Sequence, residues 1–240
     1  LAGTTNHNGA VTVTNGTAYT ITELQTINNG TTGTISLNDT TVALSGSGTV
    51  VAAALDGTFA GGKAHTGAVE VTGNNYTATQ LKTINAGTTG TISLDDTTVA
   101  ISGDATDLAV ALGGTFAGGK GHTGAVTVTD TTDYTVTELK LINAGTTGAI
   151  TFSDVTVALS GDATDLAVAL AGTTNHNGAV TVTNGSAYTL TELKVINAGT
   201  AGAISFQDVT VALSGDATDL AIALAGTTNH NGAVTVTNGT

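Results

Sequence analysis

Along the chain, apolar residues alternate with Thr or Ser in short runs. In G-A-V-T-V-T, Val11 and Val13 share one face and Thr12 and Thr14 the other, the period of a half-buried strand. Asn15-Gly16 then marks a turn. The run A-Y-T-I-T puts Tyr19 and Ile21 on one face of a second expected strand. Further along, A-I-T-F alternates Ile150 and Phe152, Ser153-Asp154 turns, and V-T-V-A-L alternates Val155, Val157 and Leu159. Each expected strand has one dry face.

Between these runs the period lengthens. Leu24/Ile27, Leu81/Ile84, Leu139/Ile142 and Leu193/Ile196 stand three residues apart, a helical stripe. Thr20 with Glu23, Thr135 with Glu138 and Thr189 with Glu192 have capping-box spacing, in which hydroxyl and carboxylate each satisfy an orphan backbone N–H. The second type of helix opens with Asp104/Asp107, Asp162/Asp165 and Asp216/Asp219. Ala-Gly follows and predicts a glycine stop. Two turns are too few to stand alone, so these helices need packing neighbours.

The pattern repeats. His7, His65, His122, His176 and His230 are spaced 58, 57, 54 and 54 residues apart, and Leu1–Thr17 recurs unchanged as Leu224–Thr240. T-E-L-K-L-I-N-A-G-T-T-G-A-I-T-F and T-D-L-A-V-A-L-A-G-T-T-N-H-N-G-A-V-T-V show a weaker repeat of half that length, 27 residues from Gly145 to Gly172. The expected fold is a β-rich, solenoid-like tandem array with short helices. Strand-turn-strand-helix units of about 27 residues pair into repeats of 54–58, approximately 3–56, 57–113, 114–171 and 172–225, with the next beginning at 226–240. Strands stacked at ~4.8 Å per rung conflict with a helix about 10 Å wide in every rung, whereas a hairpin plus one helix matches that width. The strand order is left open. The chain opens in mid-pattern without Met, so an internal stretch of a longer array is expected.

Composition narrows the function classes. The chain has 53 Thr and 33 Gly, but no Cys, Pro, Met, Trp or Arg. Forty per cent hydrophobic residues argue against disorder, and the lack of Cys excludes disulfides and Cys-ligated metals. No apolar run is long enough for a membrane-spanning helix, so membrane insertion is not expected. A net charge of −13 opposes binding to nucleic-acid phosphates.

Candidate chemistry is sparse. The His residues are expected as solvated loop side chains, too far apart to share an ion. Calcium, which takes hard oxygen ligands, is the possible cofactor, weakly held at Asp104, Asp107, Asp162, Asp165, Asp216 and Asp219. Capping alone also accounts for that spacing. Departures from the repeat (Lys63, Glu70, Lys120, Gln207, Ser47-Gly48) form no nucleophile–base set, so no enzyme activity is expected. Sequons such as Asn15, Asn75 and Asn184 permit glycosylation.

V-T-V-T, T-x-T-E-L-x-x-I-N-A-G and S-G-D-A-T-D-L-A-x-A-L together resemble the giant tandem-repeat secreted and cell-surface proteins of bacteria, cyanobacteria among them. The resemblance implies an extracellular or cell-surface adhesin, surface layer or fibre component. The leading expectation is a structural filament segment that self-associates into a fibre or array. The alternative is an adhesin whose two loop types, TTNHNG and TFAGGK[AG]HTG, engage glycans or surfaces. Ice binding through T-x-T ladders is a distant third.

Overall fold

The computed structural model describes residues 7–14, 19–62, 64–119, 121–183 and 188–237. The expected turn at Asn15-Gly16 lies outside them. Among the described residues the first repeat runs β1 (Val11–Val13), α1 (Ile21–Gly30), β2 (Ile35–Leu37), β3 (Leu44–Ser47) and α2 (Gly48–Leu55). The second has β4 (Val69–Thr72), α3 (Ala78–Gly87), β5 (Ile92–Leu94), β6 (Ile101–Gly103) and α4 (Ala105–Leu112). The third has β7 (Val126–Val128), α5 (Val136–Gly145), β8 (Ile150–Phe152), β9 (Leu159–Gly161) and α6 (Ala163–Leu170). The fourth has β10 (Val180–Val182), α7 (Leu190–Gly199), β11 (Ile204–Phe206), β12 (Leu213–Gly215) and α8 (Ala217–Leu224), and β13 (Val234–Val236) opens the next. The protein is thus α/β, with repeated strand–helix units and small sheets. Contacts divide it into two compact units, one from Leu1–Gly103 with Asp107–Ala125 and Ala144–Thr147, the other from the remainder.

The hairpins are replaced by parallel crossovers. In the first unit β3, β4 and β5 form one sheet, with Leu44 beside Val69 and Val69 beside Ile92. In the second, β9, β10 and β11 repeat this, with Leu159 beside Val180 and Val180 beside Ile204. A parallel neighbour cannot be reached through a two-residue turn, so a helix occupies the crossover. Tyr19 and Ile21 therefore form no strand: Thr20 is an N-cap (φ −94°, ψ 162°) and Ile21 begins α1. Val155 and Val157 also lie outside any strand. The Asp154 carboxylate accepts from the Thr156 N–H at 2.8 Å and from its hydroxyl at 2.7 Å, holding a turn there, and pairing begins at Leu159.

Sheets are shared between repeats. β2 pairs back to β1, while β3, next in sequence, pairs forward to β4. Phe59 then returns to bridge Ile35, and Phe116 bridges Ile92. A sheet of the first unit therefore has four strand positions, β3, β4, β5 and Phe116, per two helices. Four rungs of about 4.8 Å match two helices of about 10 Å, which removes the conflict of widths.

Capping is as the spacing predicts. Thr20/Glu23 and Thr189/Glu192 make complete capping boxes, Gln80 replaces Glu opposite Thr77, and Asp162 and Asp216 accept from the N–H groups of Asp165 and Asp219. The glycine stops divide into two kinds. Gly172 and Gly226 have φ of +78° and +74° and end α6 and α8 as expected. Gly87, instead, is the last residue of α3, and a Cβ there would lie 2.5 Å from the Leu55 carbonyl oxygen. Close helix packing, not a left-handed turn, demands it. Much of the predicted apolar set is core: Leu24, Leu81, Leu139 and Leu193 from the helices and Ile150 from a strand are fully buried, as are Ile35, Ile92 and Ile204 at the equivalent strand positions, whereas Ile21, Ile27, Val155 and Val157 are only half-buried.

Candidate functional site

The polar groups that recur in every repeat were the candidates, and the structure assigns most of them to the joints between elements. The histidines are the clearest case. His65 and His122 are completely buried and His176 is 1% exposed, against the expectation of solvated loops. Nε2 of His65 lies 2.8 Å from the Val42 carbonyl, and that of His122 2.8 Å from Val99. His176 reaches Val157 at 3.0 Å. A carbonyl only accepts, so Nε2 carries the proton, and in the neutral ring Nδ1 accepts. The hydroxyls of Thr88, Thr146 and Thr200 stand 3.0, 3.1 and 2.8 Å from those Nδ1 atoms. Burial pushes all three imidazoles below their ordinary pKa, opposed by the carbonyl hydrogen bond. Each ring ties one loop to two others. Tyr76 packs edge-on against His122, and Tyr134 and Phe152 against His176.

The tyrosines serve the same end. The Tyr19 and Tyr76 hydroxyls each donate to a backbone oxygen, of Asp39 and Asp96, at 2.8 Å. Burial, with the nearby aspartate charge, pushes each up to about 12. Asparagines that sequence reading passed over complete the set. Asn28, Asn85 and Asn143 donate to the carbonyls of Ala53, Val110 and Val168 near the ends of α2, α4 and α6. Their signal was present in the recurrent I-N pair, but nothing local gives Asn a partner 25 residues away.

Of the calcium candidates, Asp162 and Asp216 use an oxygen as a helix cap, at 2.8 Å from the N–H of Asp165 and Asp219. Asp107, Asp165 and Asp219 each pair with a lysine of the preceding helix, Lys82, Lys140 and Lys194. Asp104 stands immediately before α4. Each D-x-x-D carboxylate pair of α6 and α8 thus faces two separate tasks. Among the described residues no three His, Asp or Glu side chains gather where one ion would sit. Glu70 accepts from the Ser45 hydroxyl at 2.8 Å, Asn75 is exposed, and Lys63, Lys120, Asn15 and Asn184 lie outside the described residues. No described helix is long and apolar enough to cross a membrane.

The two loop types have a packing counterpart. Repeats whose strand reads I-S-L are followed by TFAGGK, and Phe59 and Phe116 are buried there. Repeats whose strand reads I-T-F or I-S-F are followed by TTNHNG, and Phe152 and Phe206 are buried in the strand. Phe152 stacks on Tyr134 with centroids 4.5 Å apart. In TTNHNG the Asn175 amide imitates a strand: its oxygen accepts from Phe152 N–H at 2.9 Å and its NH₂ donates to the Phe152 carbonyl at 3.1 Å. Each loop belongs to its strand.

No family model, no curated protein and no solved structure matches this chain.

Proposed function

We propose that the chain is a structural segment of an extracellular filament or giant cell-surface protein, a solenoid-like scaffold that supplies length and self-associates into a fibre or array. One observation carries this reading: the recurrent polar groups are spent on joints between elements. The imidazoles bind loops, the tyrosine hydroxyls and Asn amides bind backbone, and recurrent Asp and Glu residues cap helices, hold turns or meet lysines. The same joint recurs each repeat, as expected where stability grows by adding nearest-neighbour interfaces. The acidic, Cys-free composition suits a surface location. Enzyme activity is not part of the proposal. The adhesin alternative loses its main support, because the loop difference tracks the position of Phe in the preceding strand.

Proteins of two, four and eight repeats would test this by small-angle X-ray scattering. A maximum dimension that grows linearly with repeat number is the expected result. Dimensions growing as for a compact globule would refute the scaffold reading.

A further inference from the structure

Three neighbouring helices inside the second unit each set a carboxylate one turn before an outward aliphatic side chain. These are Glu138 and Leu141 in α5, Asp165 and Val168 in α6, and Glu192 and Val195 in α7. Leu141 and Val168 are 46% and 40% exposed, and Val195 is half-buried. The helices are tied side by side at this level. The Asn143 amide donates to the Val168 carbonyl, Lys140 pairs with Asp165, and the Thr164 hydroxyl donates to Glu192 at 2.6 Å. An apolar row and an acidic row therefore run parallel across the helices, one step per helix. Beside Val195 the surface opens into a cleft of about 410 Å³, lined also by Leu170, Gly172, Ala198 and Gly199. The fold does not require these rows. At the same positions the first unit has Thr26, Ala53 and Thr83 for the aliphatics, and Val50 and Gln80 for two of the carboxylates, and α1, α2 and α3 pack all the same. Among its helices only α4 carries both, Asp107 and Val110.

We propose that this face of α5, α6 and α7 docks a cationic amphipathic helix laid across the three, its apolar side chains on Leu141, Val168 and Val195 and its ammonium groups against Glu138, Asp165 and Glu192. Spacing selects the conformation. Packed helices stand about 10 Å apart, and seven residues of α-helix rise about 10.5 Å, so one residue per heptad meets each helix in turn. In a strand, side chains on one face recur at about 6.6 Å or twice that, and neither matches. A polyproline helix repeats every third residue at about 9.3 Å, but that conformation docks on aromatic grooves, and all four Tyr and all four Phe of this chain are buried. Charge selects the sign. Lys140 offsets Asp165, whereas Glu138 and Glu192 accept only from Thr hydroxyls and backbone N–H groups. A second copy of the chain, at −13, would set acidic row against acidic row. The proposal goes beyond the scaffold reading and stands without it.

The probe is a synthetic peptide of three L-A-A-K-K-A-A heptads, which flanks each Leu with Lys, titrated into the full chain by calorimetry beside a scrambled peptide of the same composition. The heptad peptide should bind with Kd of about 10–100 µM, gain helical circular dichroism and weaken with salt. The scrambled peptide should bind about tenfold more weakly or not at all. Leu141→Thr with Val195→Thr, which copies Thr83 and Thr26 at exposed or half-buried sites, should keep the fold and weaken binding about tenfold or more. Glu138→Gln with Glu192→Gln, capped as Gln80 caps α3, should lose most of the salt dependence. Equal binding of the two peptides, or unchanged affinity in the L141T/V195T protein, overturns the docking. Tighter binding of a Pro-Pro-Lys repeat overturns the helical occupant. A heptad peptide that fails to bind, with a wild-type dimer in sedimentation that L141T/V195T abolishes, assigns the face to a second copy and overturns the cationic partner.

Discussion

Lys82 on α3 is paired with Asp107 on α4, and where the first repeat has Gln25 in place of that lysine it has Val50 in place of that aspartate. The two positions change together because they meet across neighbouring helices. The side chains are 41% and 27% exposed, so the pair contributes only about 0–1 kcal/mol. Lys82→Gln is expected to lower stability by that amount, less at high salt. K82Q/D107V, which copies the first repeat, should recover most of it. A double-mutant cycle by urea unfolding measures the coupling.

The same lysines bear on calcium. Lys140 and Lys194 hold Asp165 and Asp219, so removing the ammonium frees a carboxylate beside each Asp cap. If calcium associates weakly at these pairs, millimolar Ca²⁺ should raise Tm more than matched monovalent salt, by the usual linkage of ligand to folding. Lys140→Gln with Lys194→Gln should enlarge that rise. Asp162→Asn with Asp216→Asn should shrink it with little loss of capping, since Asn caps about as well as Asp. Equal Tm in Ca²⁺ and chelator in all three proteins would remove calcium from the account.

Acid should loosen the array before it protonates the carboxylates. Burial holds His65, His122 and His176 below the ordinary value of about 6.5, so in that interval the unfolded chain binds more protons than the folded one. Stability is full above about pH 6.5 and falls as pH drops below it. Urea midpoints measured from pH 7.5 to 5 should show the loss. His122→Leu should flatten part of the slope, and at pH 7.5 it should cost about 1–3 kcal/mol through the unsatisfied Val99 carbonyl.

Gly90→Ala tests a close backbone approach. A Cβ at residue 90 would collide with the Gly67 carbonyl oxygen, and backbone cannot step aside as a flexible side chain can. The expected cost is about 1–3 kcal/mol, characteristic of overpacking. Gly61→Ala, in a loop with nothing within 4 Å but φ of +80°, should cost only the strain of that conformation, about 1–2 kcal/mol. Thermal unfolding of the two variants separates the effects.

Strand and loop should prove interdependent. Asn175→Ala leaves the N–H and carbonyl of Phe152 without their side-chain partner, at about 1–3 kcal/mol. Grafting TFAGGK in place of TTNHNG after β8 brings a second Phe into a repeat that already buries Phe152. The graft should destabilise, and Phe152→Leu in the same protein should restore stability. Additive effects in this cycle would show that the loops vary independently of packing.

Much of this was legible in one sequence because it depends on neighbours in the chain. The repeat, the V-T-V strands, the capping boxes and the Leu/Ile stripes all follow from residues two to four positions apart, where local geometry decides the outcome. Tyr19 and Ile21 mark the limit. Alternation and a capping box overlap in A-Y-T-I-T, and only the parallel partner of β1 settles the competition in favour of a helix. The histidines mark it again. In TTNHNG or GGKAHTG the ring has no local reason to be buried, and its carbonyl and hydroxyl partners lie 19 to 24 residues away. Such contacts form only once successive strands are in register, so the tertiary structure alone decided that the imidazoles hold the repeats together.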